Sequence, residues 1–271
     1  MKPFFSIVIP TLNEEKFLPK LLESLRAQNF KKFEIVVVDA LSKDKTVKAA
    51  ENWQEIFKKR GQNLIIVNAK KRNVSFQRNL GARQAQGDYL VFFDADVIVE
   101  AKFLKKVFGH IKKEESLLMT TWLVSDSEEI TDELLILLTN YGLELARYTK
   151  KPFLPGFNII VERNSFWAIG GFNEKIKHAE DIYFAQKARR KGIMIRFLKE
   201  PILTMSLRRF RSEGRVKVLK KYAQSLTHIL FKGPITNDIF DYPMGGEYHL
   251  NHKKEDGWQE LKKKWNRFFH L

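Results

Sequence analysis

The chain has 271 residues, no cysteine and a formal net charge of +16 at pH 7. The lack of cysteine excludes thiol catalysis, disulfide bonds and cysteine-ligated metal sites. The positive charge favours anionic partners: phosphorylated small molecules, acidic phospholipid or nucleic acid. A lysine-rich solubilising surface, including a thermophilic one, would have the same composition.

The N-terminal segment lacks the apolar core and the small-residue cleavage site of a signal peptide. No window reaches the ~18 uninterrupted apolar residues that a membrane-spanning helix needs. From the sequence we therefore expect a cytoplasmic protein.

Apolar runs and amphipathic segments alternate through the first hundred residues. Strands are predicted at 5–10, 34–39, 63–68 and 87–93. Helices are predicted to begin at the polar turn 11–15 and to cover 42–58 and 75–86. This alternation indicates βαβ units on a parallel sheet, a nucleotide-binding type of α/β domain.

The second half continues the alternation and then changes in composition. Helices are predicted at 101–113, 131–148 and from 178 onward, and strands at 117–124, 158–161 and 193–198. Arginine and lysine crowd the chain after residue 206, and 258–271 has the pattern of an amphipathic helix. We therefore predict a catalytic domain at 1–205 and a basic, helical C-terminal extension at 206–271.

Polar side chains follow several of the predicted strands. Asp94 and Asp96 come directly after an apolar run, Asp39 ends another, and Thr11 to Glu14 follow the first. Open α/β sheets bind their ligands at the carboxyl ends of the strands. Two carboxylates at i and i+2 can share a divalent cation, although each alone is also typical of a solvated loop. No dinucleotide-binding glycine motif or P-loop follows any strand, which disfavours those two classes.

Five motifs occur in the order seen in family 2 glycosyltransferases of the GT-A fold, which the sequence resembles over roughly residues 5–200. They lie at 6–14 (SIVIPTLNE), 38–46, 78–82, 93–96 and 180–181. The resemblance implies an α/β, GT-A fold with a mostly parallel central sheet flanked by helices. It also implies transfer from a UDP- or GDP-linked sugar to a hydroxyl acceptor. The basic C-terminal part suggests a lipid-linked or cell-envelope glycan as the acceptor class. The Gln-x-x-Arg-Trp motif of processive synthases is absent, which favours transfer of a single sugar.

The resemblance implies a role for each donor-site position. Asp94 and Asp96 would hold Mg²⁺ or Mn²⁺ against the diphosphate, with Asp96 as the direct ligand. Asp39 would accept hydrogen bonds from the base or ribose, and Arg78 would contact the base or a phosphate. The donor-site residues are Pro10, Thr11, Asn13, Glu14, Asp39, Arg78, Asp94 and Asp96. For Asn13 and Glu14, helix capping explains the sequence equally well.

The resemblance implies that Asp181 is the catalytic base, with Glu180 as its acidic neighbour. An inverting enzyme needs a carboxylate to take the acceptor proton, although acids at this position also favour the helix dipole. On the acceptor side the resemblance implies Gly156, Phe157 and Gly171.

A second basic site is predicted where the C-terminal extension begins. Arg208, Arg209 and Arg211 would bind the diphosphate or anionic lipid headgroups, or would form a solvated basic face. The segment 258–271 would bind a membrane peripherally or pack on the domain. No specific nucleic acid is expected as a partner.

Two other protein classes stay open at this stage. A haloacid-dehalogenase-like phosphatase would use Asp94 as nucleophile and Asp96 as acid/base, but such enzymes carry this motif on the first strand. A non-catalytic, basic nucleic-acid- or membrane-binding protein on a GT-A scaffold would need these acids to be incidental.

Overall fold

The central sheet of the computed structural model contains eight strands; the structure describes residues 2–149, 151–237, 239–240 and 245–246. The strands are β1 (Phe5–Thr11), β2 (Phe33–Asp39), β3 (Leu64–Asn68), β4 (Tyr89–Phe93), β5 (Ile98–Val99), β6 (Leu118–Ser125), β7 (Asn158–Glu162) and β8 (Ile195–Met205). Their order is β3-β2-β1-β4-β7-β6-β8-β5. The pairs among β3, β2, β1 and β4 are parallel, and so is β6 with β8. Strand β7 lies between β4 and β6 and pairs antiparallel with both. The short β5 pairs antiparallel with β8.

Helices cover this sheet. They are α1 (Leu18–Arg26), α2 (Thr46–Lys59), α3 (Val74–Gln84), α4 (Phe103–Glu114), α5 (Ile130–Ala146), α6 (Arg163–Ile169), α7 (Glu180–Arg190), α8 (Arg208–Glu213) and α9 (Arg215–Phe231). Within the described ranges, none of these helices has the length and apolarity that crossing a bilayer requires.

The inner strands do not alternate because both of their faces are covered. Every residue of β1, β2 and β4 is buried. One face packs with α1, α2 and α4, and the other with α3, α6 and α7, so that two apolar clusters enclose the sheet. Burial of each large aliphatic or aromatic side chain contributes about 1.5–3 kcal/mol to the stability of the fold. The buried strands therefore form a stable support for the sheet edge at which the predicted site residues lie.

The predicted start of the first helix was wrong. Residues 13–15 are not helical, because their backbone N–H groups donate to side chains of the loop before α2 and of its first residue. Asn13 N lies 2.8 Å from Ser42 Oγ, and Glu14 N lies 2.7 Å from Thr46 Oγ1. Helix α1 therefore begins at Leu18, and capping does not explain Asn13 or Glu14. The last strand is also longer than predicted and ends at Met205.

The first part of the predicted extension packs on the sheet domain. Leu207, Phe210 and Val218 share one apolar cluster with Leu123 of β6 and Ile136 of α5. The division at residue 205 stays a prediction, and the amphipathic segment 258–271 lies outside the described residues.

Candidate active site

The carboxyl ends of β1 and β2 lie side by side and carry the first cluster of predicted donor residues. Thr11 and Asp39 are register partners, and Thr11 Oγ1 donates to Asp39 Oδ1 over 3.1 Å. Ser42 donates to both oxygens of the same carboxylate, through its hydroxyl to Oδ1 (2.5 Å) and through its backbone N–H to Oδ2 (2.9 Å). These bonds fix the Asp39 side chain at the sheet edge, where it can accept a further hydrogen bond from a ligand.

Arg78 lies at the centre of the site, on α3. Its side chain is only 2% exposed, and its guanidinium contacts three different segments. Nη2 donates to Asp94 Oδ1 (2.9 Å) and to the carbonyl oxygen of Gly156 (2.8 Å), while Nη1 donates to Glu180 Oε1 (2.7 Å). Burial lowers the pKa of Arg78, but the carboxylates of Asp94, Glu180 and Asp181 raise it overall. Arg78 therefore stays charged and joins the predicted metal end of the site to the predicted catalytic end.

The predicted base lies in the first turn of α7. Asp181 Oδ1 accepts from its neighbour's backbone, Ile182 N, at 2.8 Å. Burial raises the pKa of Asp181 to about 7, and Glu180 adds to the rise, whereas Arg78 and backbone N–H groups oppose it. The N-cap position belongs to Ala179, so neither acid is the cap residue. The structure thus holds a carboxyl group that titrates near neutral pH beside Arg78.

Gly156 lets the segment before β7 approach this carboxylate. A Cβ atom placed on Gly156 would lie 2.7 Å from Asp181 Oδ2 and 3.3 Å from Arg78 Nη2. Any larger residue would have to push the carboxylate or the guanidinium away. The sequence placed Gly156 on the acceptor side, and the structure places it against the predicted base.

Arg208, the first residue of α8, forms the second buried ion-pair network. Its Nη1 and Nη2 donate to the two carboxylate oxygens of Glu14, each over 2.7 Å, and its Nε lies 2.9 Å from Asp96 Oδ2. The guanidinium carbon lies 4.8 Å from the ring centroid of Phe17. One positive charge therefore sits between Glu14 and the residue predicted to be the direct metal ligand.

Burial dominates the electrostatics of this network. It raises the pKa of Glu14 to about 7, although Arg208 lowers it, and it also raises the pKa of Asp96. Burial lowers the pKa of Arg208, but Asp96 and Glu14 outweigh burial and raise it. The acidic pocket thus needs a cation, and Arg208 supplies it in this structure.

The donor atoms fit a hard divalent cation. Asp94 and Asp96 offer carboxylate oxygens, which Mg²⁺ and Mn²⁺ prefer, and their side chains are 40% and 16% exposed. No third His, Asp or Glu converges with two others into a metal-binding group within the described part of the chain. These residues suit an ion that completes its coordination shell with water and phosphate oxygens. Such an ion would displace the Nε of Arg208 if it bound Asp96 through Oδ2.

The remaining predicted donor residues have structural contacts. Pro10 is buried in β1 opposite Val38. Asn13 adopts a φ of 56°, and its Oδ1 accepts from the backbone N–H of Lys43 at 2.8 Å. Both residues shape the sheet edge, and Asn13 locks the loops after β1 and β2 together.

The three predicted arginines pair with different carboxylates. Arg208 enters the site, whereas Arg211 donates to both oxygens of Asp126 and Arg209 lies 3.9 Å from Glu213. Arg208 thus pairs with a predicted metal ligand, and Arg211 lines a cavity together with Asp96.

The other acceptor-side residues support loops. Phe157 packs against the core. Gly171 has a φ of +59°, and a Cβ there would lie 2.9 Å from Asn79 Oδ1. The side chain of Asn79 holds the backbone of Phe172 by two hydrogen bonds of 2.8 and 2.9 Å.

Sequence reasoning missed Gln77. Its side chain is buried, and Nε2 donates to the carbonyl oxygens of Thr11 (2.9 Å) and Val38 (2.7 Å). It thereby ties the ends of β1 and β2 to α3. A glutamine in a helix is ordinary, so only its place directly before Arg78 could have drawn attention.

Fold and site together define a GT-A type of α/β protein whose acidic sheet edge faces a buried carboxyl group. The family model described as Glycosyl transferase family 2 matches residues 6–170, and the chain belongs to that family. The family and fold predictions are confirmed.

Two similar proteins illustrate the relationship. A relative from Methanococcus voltae is 38% identical over 117 residues, which are 41% of this chain and 36% of the relative. Its name is dolichyl N-acetyl-alpha-D-glucosaminyl phosphate 3-beta-D-2,3-diacetamido-2,3-dideoxy-beta-D-glucuronosyltransferase. The poly(ribitol-phosphate) beta-N-acetylglucosaminyltransferase TarS of Staphylococcus aureus is 27% identical over 190 residues, 68% of this chain and 32% of the relative. The match thus spans about a third of the length of each of these relatives.

Solved structures show the same fold. The structure of S. aureus TarS 1-349 in complex with UDP-GlcNAc has a TM-score of 0.60 at 24% identity and covers 74% of this chain and 58% of that one. The structure of the mannosyltransferase PcManGT of Pyrobaculum calidifontis in complex with GDP-Man and Mn²⁺ has a TM-score of 0.61 at 20% identity. The match covers 83% of this chain and 65% of that one.

Proposed function

We propose that this protein is a metal-dependent, inverting glycosyltransferase that moves one sugar from a UDP- or GDP-linked donor to a hydroxyl acceptor. The observation that carries the proposal is the position of Arg78. One buried guanidinium contacts Asp94, Glu180 and the Gly156 loop, so the predicted leaving-group end and the predicted base end form one site.

The donor end would bind the nucleotide at the edge formed by β1 and β2. Asp39, oriented by Thr11 and Ser42, would accept a hydrogen bond from the base or ribose. Asp94 and Asp96 would hold Mg²⁺ or Mn²⁺, which when bound would neutralise charge that develops on the diphosphate. Arg208 would turn from Asp96 to the diphosphate and keep Glu14 as its anchor. The complexes of similar proteins with UDP-GlcNAc and with GDP-Man and Mn²⁺ support this assignment.

The catalytic end would act as a general base. Asp181 would accept the proton of the acceptor hydroxyl while that oxygen bonds to the anomeric carbon and the bond to the diphosphate oxygen breaks. The products are the inverted glycoside, the nucleoside diphosphate and a protonated Asp181. A pKa of about 7 suits a group that must take a proton and then release it near neutral pH. Arg78 would position both ends without touching the sugar.

The acceptor is proposed to be a lipid-linked or cell-envelope glycan, met at the inner face of the membrane. The M. voltae relative's name contains a dolichyl-linked sugar phosphate, which supports this class. The family match gives no support to the phosphatase or to the non-catalytic nucleic-acid-binding alternative.

A thermal-shift panel tests the donor assignment first. UDP and GDP are each added to the full chain with MnCl₂, MgCl₂ or EDTA. Ligand at about 100 times its Kd should add about 2.7 kcal/mol of stability, so one nucleotide should raise Tm, and EDTA should cancel the rise. Asp94→Asn should lose the effect, while Asp88→Asn, a surface aspartate paired with Lys2, should keep it. No shift with any nucleotide and metal would refute the proposal.

A further inference from the structure

The chain that follows α9 returns to the active site and contacts it at two places. Its described residues are 232–237, 239, 240, 245 and 246, and we call them the C-terminal strap. One contact lies directly before α7, whose first turn holds the predicted base, and the other lies on the loop after β1, which holds predicted donor residues. The strap therefore reaches both ends of the site that Arg78 joins.

At the catalytic end, the strap pairs with the segment before α7. The N–H of Lys177 donates to the carbonyl oxygen of Ile235 over 2.9 Å, and Ile235 forms an antiparallel bridge with His178. The side chain of Ile235 is buried, and the ring of Phe240 stacks on that of His178 with centroids 5.2 Å apart. Because His178 precedes Asp181 by three positions, these contacts anchor the strap to the segment that leads to the predicted base.

At the donor end, the strap contacts Leu12 through backbone atoms. The N–H of Gly246 donates to the carbonyl oxygen of Leu12 over 2.8 Å. Leu12 stands between Thr11, which donates to Asp39, and Asn13, which joins the loops after β1 and β2. The strap is thus bound to the loop that carries the predicted donor residues.

Gly245 is required for this close approach. Its φ is +64°, a backbone conformation that residues with a side chain rarely adopt. A Cβ atom on Gly245 would overlap the carbonyl oxygen of Leu12 and would lie 2.9 Å from the Leu12 Cβ. The obstacle is mainly backbone rather than a flexible side chain, so an alanine at this position would move the strap away from Leu12.

The backbone character of this contact indicates a wall of the donor site rather than a segment that fills it. Glycine has no side chain, so the Gly-Gly pair places no side-chain atoms over the sheet edge. The carboxylates of Asp39 and Asp94 accept hydrogen bonds from residues of β1, of the loop after β2 and of α3. Among the described residues, those of the strap donate to neither carboxylate. Both groups therefore keep oxygen atoms for a ligand while the strap is in place.

We propose that the C-terminal strap is the outer wall of the donor pocket and retains the nucleoside diphosphate there. At most about 18 Å separates Phe240 from Gly245, because five residue steps of an extended chain reach no farther. A nucleotide at the sheet edge is enclosed between the two anchored ends of the strap. Enclosure excludes water and strengthens the attraction between the diphosphate and Arg208. The inference rests on the proposed glycosyltransferase function, because its ligand is the nucleotide of the donor.

Replacing Gly245 by alanine tests the wall with the full chain. Isothermal titration with UDP or GDP in the presence of MnCl₂ measures the Kd of the nucleotide that binds the unchanged protein. In Gly245→Ala this Kd should rise at least about fivefold, because one hydrogen bond alone contributes a factor of about 2–13. The donor KM should rise by a similar factor with little change in kcat, since the pairing of Ile235 beside the predicted base stays intact.

A second variant tests the other anchor of the strap. Phe240→Ala removes the ring that stacks on His178 and leaves the Gly246–Leu12 hydrogen bond in place. The nucleotide Kd should again rise, because a wall that is released at either end encloses the ligand less well. This variant changes no backbone conformation, so its effect is independent of strain at Gly245.

Two other glycines provide matched controls. Gly233, within the strap, has a φ of +91°, and Gly192, after α7, has a φ of +79°; a Cβ atom at either would meet no atom within 4 Å. Gly233→Ala and Gly192→Ala therefore introduce the same kind of backbone strain without a clash at Leu12. Both should bind nucleotide as tightly as the unchanged protein. Thermal unfolding without nucleotide checks that every variant is folded.

Four results would overturn the inference. Nucleotide binding by Gly245→Ala and Phe240→Ala that equals that of the unchanged protein would show that the strap is no wall, while the glycosyltransferase proposal would stand. Tighter binding by Gly245→Ala would show that the strap blocks the donor site. An equal loss in the two controls would assign the effect to backbone strain. Absence of UDP and GDP binding in the unchanged protein and in all variants would refute the proposed function and the wall together.

Discussion

Replacing Arg208 by alanine tests whether this arginine holds the place of the metal. The guanidinium is 17% exposed and neutralises Glu14 and Asp96, whose side chains are 4% and 16% exposed. Removing one partner of such a buried pair costs about 3–5 kcal/mol, because the remaining charge is left uncompensated. For a chain of this size, that loss corresponds to a Tm lower by about 6–20 °C.

The loss of stability in Arg208→Ala should increase with pH. The folded-state pKa of Glu14 is about 7, above its ordinary value of 4.5, so its ionisation destabilises the fold as pH rises from about 4.5 through 7. Without Arg208 the pKa values of Glu14 and Asp96 rise further. The variant should therefore be close to the unchanged protein at about pH 5 and clearly less stable at about pH 8.

Although Arg208→Ala should lower the stability of the fold, it should raise the affinity for a divalent ion. A divalent ion that binds Asp96 through Oδ2 displaces Arg208 Nε, and hydrogen bonds to charged groups contribute about 1.5–3 kcal/mol. Arg208→Ala should therefore bind Mn²⁺ without nucleotide at least about tenfold more tightly, since about 1.4 kcal/mol corresponds to tenfold. It should bind nucleoside diphosphate with Mn²⁺ more weakly, because the phosphate-binding group is gone.

Isothermal titration with MnCl₂, and thermal unfolding at the two pH values, measure these effects. Arg26→Ala is the matched control, because Arg26 also pairs with a carboxylate, that of Glu23, but is 43% exposed and lies in the last turn of α1. It should lose about 1 kcal/mol or less and keep its Mn²⁺ affinity. Equal or weaker Mn²⁺ binding by Arg208→Ala would show that the arginine does not compete with the cation.

The other predictions concern the catalytic end. Asp181→Asn should lower sugar transfer by about 10²–10⁴-fold, measured with radiolabelled donor, and leave the nucleotide Kd unchanged; transfer at the normal rate would contradict its role as base. Since burial raises the pKa of Asp181 to about 7, kcat should rise with pH through that value as the carboxyl group loses its proton; a flat profile across neutral pH would contradict the assignment. Gly156→Ala should reduce kcat at least about tenfold with little change in the donor KM, because the added Cβ would lie 2.7 Å from Asp181 Oδ2 and displace the base. Gly142→Ala, where a Cβ would meet no atom within 4 Å, should leave the kinetics unchanged.

The strands and the candidate site residues were predicted from patterns in the sequence. The runs in β1, β2 and β4 are apolar almost throughout because both faces of those strands are buried, and polar residues of the sheet edge stand at or just after their ends. That pattern needs no knowledge of long-range contacts. Hence the α/β class and the acidic edge at Asp39 and Asp94 could be predicted from the residues, while the family was predicted from the resemblance of five ordered motifs.

The start of α1 was beyond this kind of reasoning. Residues 13–15 have the composition of a helix start, yet their N–H groups bond to side chains of Ser42, Asp44 and Thr46 about thirty positions away. The helix propensity of a short segment does not show that its backbone N–H groups will bond to side chains in another part of the chain.

The ion pairs of the site depend on the tertiary fold. From the sequence, Arg78 was expected to contact the base or a phosphate, and Arg208 the diphosphate or lipid headgroups. The fold buries each guanidinium between carboxylates from distant segments. Charge pairing depends on which side chains share a pocket, and 194 positions separate Arg208 from Glu14.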